Sequence, residues 1–324
     1  MTSGLSRRQL ASLRIAFMGT APFAVPSLRA LVGGPDEVVG VFAPPDRPAG
    51  RGRQPRASAV KLAAVDLGLP VHQPDRVSRG EGLQQLRDLR PDLLVVAAFG
   101  EILSEEALAV PRLGAINLHA SLLPRYRGAA PIQRAIMSGE RVTGVTVQWM
   151  APEMDAGDVI LQRETEIGED EDFGALHDRL ADLAAAAAAE AANLIPWGEA
   201  PRVPQDHSHA TFAPPITPQD LIIDWARPAE ELARLVRALS PLPGARTTRD
   251  GGMLKVLSAR ASKNASPGGG IAGQVMEFSN DGFVLMTGDG CLLVLRVQPA
   301  GRKAMSAADY LKGYRLQRGD RLGA

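Results

Sequence analysis

The chain has 324 residues, 45% of them hydrophobic and 22% charged, with 36 lysines and arginines against 36 acidic residues. Such a composition excludes a disordered, fibrous or strongly polycationic chain and leaves room for two folded cores. A lone cysteine, Cys291, excludes a disulfide framework or a cysteine-built metal site, and no apolar run reaches the length of a membrane span, so a cytoplasmic location is expected.

Residues 1–13 carry two arginines but no apolar signal core and read as a flexible leader. Strand-like and helix-like segments then alternate. Residues 13–18 form a strand closed by Gly19-Thr20, 24–32 a helix, 38–43 a strand, 57–67 a helix and 71–72 a strand stub. A helix over 82–89, a buried strand over 92–99, a short helix over 104–110 and a strand over 115–119 follow. Residues 143–150 and 159–165 are two further strands, and the alanine-rich stretch 172–194 is a helix that closes the first domain. Alternation of this kind predicts an α/β fold, a Rossmann-like, mostly parallel sheet with helices on both faces. Such sheets bind ligands beyond the carboxyl ends of their strands.

From 196 to 219 the composition turns to proline, histidine and polar residues without periodicity, which reads as a linker. A helix over 229–239 opens a second unit. Short strand-like pieces at 254–257, 273–277, 282–286 and 292–297, separated by glycine turns, predict a smaller OB-like β-barrel domain. The expected division is therefore a first domain over 14–195, a linker over 196–219 and a C-terminal domain over 220–324. From Asp206 onward 15 basic residues face 11 acidic ones, a net of +4.

The chemistry concentrates at the strand over 115–119. Asn117 and His119, two residues apart on an extended strand, point to one side. Downstream, Met154-Asp155-Ala156-Gly157-Asp158 brings a carboxylate within reach of the same cleft. An amide, an imidazole and a carboxylate without a cysteine cluster suggest acyl-type transfer. Asp158 reads as a turn residue, Gly19-Thr20-Ala21-Pro22 as a plain strand-to-helix turn, and His72, His177, His207 and His209 as structural or exposed. The loop 44–56 holds four arginines, four prolines and two glycines, too polar to pack. It reads equally as a solvated insertion or as a phosphate-binding arm.

Together these segments resemble the methionyl-tRNA formyltransferase family, within the folate-dependent formyltransferases. The resemblance is carried by Phe17-Met18-Gly19-Thr20, Val41-Phe42, Pro45-Asp46-Arg47-Pro48-Ala49-Gly50-Arg51-Gly52 and Pro111-Arg112-Leu113-Gly114. It continues through Asn117-Leu118-His119-Ala120-Ser121-Leu122-Leu123-Pro124, Arg127-Gly128-Ala129-Ala130-Pro131-Ile132-Gln133 and Met154-Asp155-Ala156-Gly157-Asp158. Ile223-Asp224-Trp225 and Gln298-Pro299-Ala300-Gly301-Arg302-Lys303-Ala304-Met305 complete it, in the family's order.

The resemblance implies a formyl donor, 10-formyltetrahydrofolate, and an acceptor, the free α-amine of methionyl-initiator tRNA, with no metal. It implies Asn117, His119 and Asp155 as the catalytic set, Asp155 rather than Asp158 taking the place of the essential carboxylate. Folate would lie against Val95, Phe99, Gly100 and Ile102 and against Ser121, Leu122, Leu123 and Pro124. The tRNA acceptor stem would meet Arg47, Arg51 and Arg53 of the basic loop, with Arg51 at the most sensitive position. Further phosphate contacts are expected from Arg246, Arg249, Lys255, Arg302 and Lys303 in the OB-like domain. A monomer without membrane contact is expected. Two other readings stand beside this one. The first is a formyltransferase of the superfamily acting on a small amine, a sugar nucleotide or glycinamide ribonucleotide; the second is a non-catalytic tRNA- or folate-binding module.

Overall fold

The computed structural model describes residues 12–49, 54–262 and 270–323. Its first sheet is organised by β1 (Arg14–Gly19), whose last five residues are all buried. β2 (Glu37–Phe42) and β6 (Leu93–Ala97) are equally apolar runs, as parallel strands covered on both faces require. With β5 (Val71–His72), β7 (Ala115–His119), β8 (Val142–Trp149) and β9 (Val159–Glu166) they form a seven-stranded sheet in the order β5-β2-β1-β6-β7-β8-β9. The pairs β2–β5, β1–β2, β1–β6 and β6–β7 are parallel, and β7–β8 is antiparallel. Alternate residues of β1 feed opposite cores: Ile15 and Phe17 pack with Leu28, Val95 and Ala188, whereas Ala16 and Met18 pack with Leu86, Leu94 and Val96.

Helices α1 (Val25–Val32), α2 (Ala59–Asp66), α3 (Gly80–Asp88) and α4 (Glu105–Leu108) connect the strands, and the Ser58 and Ser104 hydroxyls cap α2 and α4. The strand order reverses between β1 and β6. Their carboxyl ends are tied together there, the Thr20 hydroxyl donating to the Phe99 carbonyl at 2.9 Å and Thr20 N–H to Ala98 at 3.2 Å. This is the crevice where open α/β sheets place ligands.

Two short strands, β3 (Arg47–Ala49) and β4 (Gln54–Arg56), pair antiparallel with Arg47 opposite Arg56. Much of the segment read as an unpacked loop is thus the stem of a hairpin. It is anchored by Asp46, whose carboxylate accepts from Lys61 Nζ at 2.7 Å and Gln73 Nε2 at 2.9 Å. Arg51 and Arg53 lie outside the described residues.

The residues group into two compact units, one made of residues up to 129, Thr143–Thr165 and Asp178–Phe212, the other of Ala130–Val142, Glu166–His177 and Ala213–Ala324. Residues 196–212, expected to be linker, therefore belong to the first unit. Val203 exchanges backbone hydrogen bonds with Val159 at 2.8 and 3.1 Å, and Gln205 is buried. No periodicity announces such packing, because it runs through isolated backbone groups and one amide. Four alanines of α6 (Phe173–Leu194), Ala184, Ala187, Ala188 and Ala191, are fully buried, whereas Ala175 and Ala186 are exposed.

The second unit holds α5 (Pro131–Ser138), a helix absent from the sequence expectation although Pro131 at its first turn and Gly139 at φ +77° after it are ordinary start and stop signals. α5 packs on α7 (Ala229–Ala238). A six-stranded antiparallel sheet forms the OB-like part, with β10 (Ala245–Arg249), β11 (Gly252–Ser262), β12 (Val275–Phe278), β13 (Phe283–Met286), β14 (Cys291–Pro299) and β15 (Met305–Ser306). The order is β10-β11-β14-β13-β12, with β15 beside β14. Leu232, Val236, Val256, Phe283, Leu292 and Tyr310 are among its core. Tyr310 comes from α8 (Ala307–Gly313), which, like β10 and β15, was not foreseen. Among the described residues no helix is long and apolar enough to cross a membrane.

Candidate active site

β7 ends in the crevice, and its side chains alternate as the spacing requires: Asn117 is partly exposed and His119 only 6% exposed on the same side. The Asp155 carboxylate joins them. Its Oδ1 accepts from Asn117 Nδ2 at 3.3 Å and from Gln148 Nε2 at 3.0 Å. Its Oδ2 accepts from the Gly128 N–H at 2.9 Å and lies 3.5 Å from His119 Nδ1. The other ring nitrogen, Nε2, stands 2.9 Å from the Tyr126 carbonyl. A carbonyl only accepts, so Nε2 carries a hydrogen in that contact. Asn117, His119 and Asp155 are thus brought together, while the Asp158 carbonyl accepts from Trp149 N–H at the base of the β8–β9 turn.

Antiparallel pairing of β8 against β7 sets Gln148 opposite Asn117 and Thr146 opposite His119. Cross-strand partners share a face, so both polar side chains enter the site. Sequence reasoning missed them, although Thr146 and Gln148 are polar at alternate positions of an apolar strand. Thr146 organises the Ser121–Pro124 turn. Its hydroxyl donates to the Ser121 carbonyl at 2.7 Å and accepts from Leu123 N–H at 3.1 Å, and Gln162 Nε2 donates to the Leu123 carbonyl at 2.8 Å.

The residues expected to hold folate divide into two groups. Phe99 and Gly100 follow β6 at the crevice, Ile102 is 73% exposed, and Leu122 and Pro124 are partly exposed. Val95 is 0% exposed and belongs to the core between sheet and helices, so its side chain has no surface to offer a ligand. Ser121 and Leu123 are also buried, and the Ser121 hydroxyl is spent on the Arg125 carbonyl at 2.6 Å. Their side chains shape the turn from within, leaving backbone groups for contact.

Of the basic residues, Arg47, Arg302 and Lys303 are exposed. Arg246 and Lys255 face each other across β10 and β11. Arg249 does not fit the expectation of a free phosphate contact. Its side chain is 13% exposed, and its guanidinium donates to Tyr310 Oη at 3.1 Å and the Arg315 carbonyl at 2.8 Å and lies 3.5 Å from Asp250. It ties α8 and the chain after it to the sheet. Burial pushes the His72 imidazole down from its ordinary value; the ring stacks on Phe42 at 4.9 Å, as a structural histidine would. His207, read as structural or exposed, is an exposed neighbour of the buried Arg127 guanidinium, its Nδ1 3.3 Å from Nη2. Among the described residues no group of three or more histidine, cysteine or acidic side chains is arranged to hold a metal ion.

A mostly parallel sheet with an amide, an imidazole and a carboxylate converging at the carboxyl end of β7 fits a group-transfer enzyme. The chain belongs to the formyl transferase family: residues 13–192 match the formyl transferase model and residues 215–315 the formyl transferase C-terminal domain model. It is 49% identical to the methionyl-tRNA formyltransferase of Moorella thermoacetica over 96% of this chain and 99% of that protein. The methionyl-tRNA formyltransferase of Symbiobacterium thermophilum is also 49% identical, over 95% of each chain. Among solved structures, an N-formyltransferase from Helicobacter canadensis in complex with folinic acid and dTDP-3-aminofucose shares the fold with a TM-score of 0.66. That likeness covers 87% of this chain and 99% of the other at 16% identity. HypX from Aquifex aeolicus in complex with tetrahydrofolic acid aligns with a TM-score of 0.60 at 18% identity over 93% of this chain, which spans 47% of HypX.

Proposed function

We propose that this enzyme transfers the formyl group of 10-formyltetrahydrofolate to the free α-amine of methionyl-initiator tRNA, in the cytoplasm and as a monomer. What carries the reading is the near-full-length identity to relatives bearing that name, together with the meeting of Asn117, His119 and Asp155 at one strand end. The amine nitrogen attacks the formyl carbon, negative charge develops on the formyl oxygen, and the bond from carbon to the folate nitrogen then breaks. The amine loses a proton and the folate nitrogen gains one, giving N-formylmethionyl-tRNA and tetrahydrofolate.

Asn117 supplies an oxyanion donor, since its Nδ2 has a second N–H beyond the one aimed at Asp155. His119 adds a donor when Nε2 exchanges the Tyr126 carbonyl for the formyl oxygen. Asp155 orients the imidazole and takes part in relaying the proton. Folate lies against Phe99, Ile102 and the 121–124 turn. The acceptor stem meets Arg47, Arg51 and Arg53 of the basic segment, and the OB-like unit through Lys255, Arg302 and Lys303. Arg47 opposite Arg56, and Arg246 opposite Lys255, support an anionic partner, because like charges directly across a strand pair are unfavourable alone.

Incubation with 10-formyltetrahydrofolate and charged initiator tRNA should give formylmethionine. Product from a sugar-nucleotide amine or glycinamide ribonucleotide, and none from the tRNA, would sink the reading.

A further inference from the structure

Asp155 has φ +54°, a left-handed backbone that few residues with a Cβ adopt. Part of what holds it there arrives from Gln205, far along the chain. The Gln205 Nε2 faces three oxygens: the Asp155 carbonyl at 2.9 Å, the Gly157 carbonyl at 2.7 Å and Gln148 Oε1 at 3.3 Å. Its Oε1 accepts from Arg127 Nη2 at 2.7 Å and Nε at 3.3 Å. Every neighbour of the nitrogen accepts and every neighbour of the oxygen donates, so the amide has one satisfactory orientation.

Gln205 is 7% exposed and Arg127 only 2%. The carboxylate facing this guanidinium, that of Glu153, is 3.6 Å away on a side chain that is 71% exposed. A guanidinium buried largely against a neutral amide is an expensive way to stabilise a fold. Its geometric effect is specific: it orients and polarises the amide that grips both carbonyls of the 155–157 turn. The Gly128 N–H, next along from Arg127, meets the Asp155 carboxylate itself.

We propose that Gln205, oriented by Arg127, is a positioning residue for formyl transfer. Its amide holds the 155–157 turn so that the Asp155 carboxylate reaches Asn117, Gln148 and His119. Gln205 acts through Asp155 and does not touch substrate. The inference rests on the catalytic role assigned to Asp155 above.

The test is a double-mutant cycle on formylation of methionyl-tRNA, with wild type, Gln205→Met, Asp155→Asn and the double variant. Methionine keeps the volume and removes the amide. The rate constant should fall about a hundredfold in Gln205→Met, as for a misplacement on the order of 1 Å, while KM for donor and tRNA stays within roughly twofold. In the Asp155→Asn background the same substitution should change the rate by less than roughly threefold, since the group it positions is already lost. Equal losses in both backgrounds overturn the proposal, as does a wild-type rate in Gln205→Met. If Gln205→Met does not fold, Gln205→Glu, which sets an acceptor against the two carbonyls, enters the same cycle with the same expectation. Wild type that makes no formylmethionine overturns the functional reading instead, which keeps the two failures apart.

Discussion

Gln148 stands opposite Asn117 on the neighbouring antiparallel strand, and both side-chain amides end on the same oxygen, Asp155 Oδ1, at 3.0 and 3.3 Å. The carboxylate is thereby held from one side by two amides, and from the other by the Gly128 N–H. A fixed carboxylate in turn fixes what is asked of the imidazole beside it. Four experiments test this carboxylate, the turn that carries it, an ion pair of the second unit and the basic segment 44–56.

Asn117→Ala removes one N–H from Asp155 and the donor proposed for the oxyanion. Loss of one such preorganised donor costs about 10²–10³ in kcat. The variant should keep its KM for 10-formyltetrahydrofolate. A rate within a few-fold of wild type in rapid-quench single turnovers would remove Asn117 from the oxyanion role.

Gly157→Ala should be severe although the residue carries no chemistry. A Cβ there would sit 1.8 Å from the Trp149 carbonyl oxygen, so the backbone itself must move. The turn holding Asp155 moves with it. We expect lowered thermal stability of the first unit and a loss of turnover larger than the loss of stability explains. Unchanged melting and unchanged turnover would contradict the close approach.

Arg134 pairs with Asp220 through two 2.9 Å hydrogen bonds, and Asp220 also accepts from Thr217. The Arg134 hydrogen bonds hold the Asp220 carboxyl well below the usual carboxylate range. A carboxylate whose folded value is depressed contributes stability above its unfolded value, near 4, and loses it as pH falls toward the folded value. Wild type should therefore lose more stability than Asp220→Asn between about pH 4 and the acid limit, as read by acid titration of unfolding. Parallel curves would show that the pair contributes nothing.

Arg51→Leu tests the basic segment 44–56. If the loop grips the acceptor stem, KM for tRNA rises and turnover falls while the affinity for folate holds. The salt slope of tRNA binding should shrink by about one contact's worth. Weakened folate binding in the variant would count against the assignment.

Much of this architecture is legible in the sequence. Short apolar runs alternating with helix-length segments over residues 13–119 mark the strands and helices, because a parallel sheet buries both faces and leaves continuous apolar runs. The i, i+2 spacing alone puts Asn117 and His119 on one side of a strand, since the pleat has a period of two. The motifs around them are dense enough to carry the formyltransferase resemblance across both units.

Other parts depend on contacts between residues distant in sequence. Gln148 and Thr146 enter the site through the register of β8 on β7, and no turn signal encodes it. The resemblance implies Val95 as a folate contact, yet the sheet turns its side chain into the core. Gln205 sat in a proline-rich stretch without periodicity, and a single buried amide leaves no periodic trace. Local pattern thus determined the strand and the residue types at its end. The geometry that makes them a site arises only when strands far apart in the chain are paired, because hydrogen bonds act over about 3 Å whatever the separation in sequence.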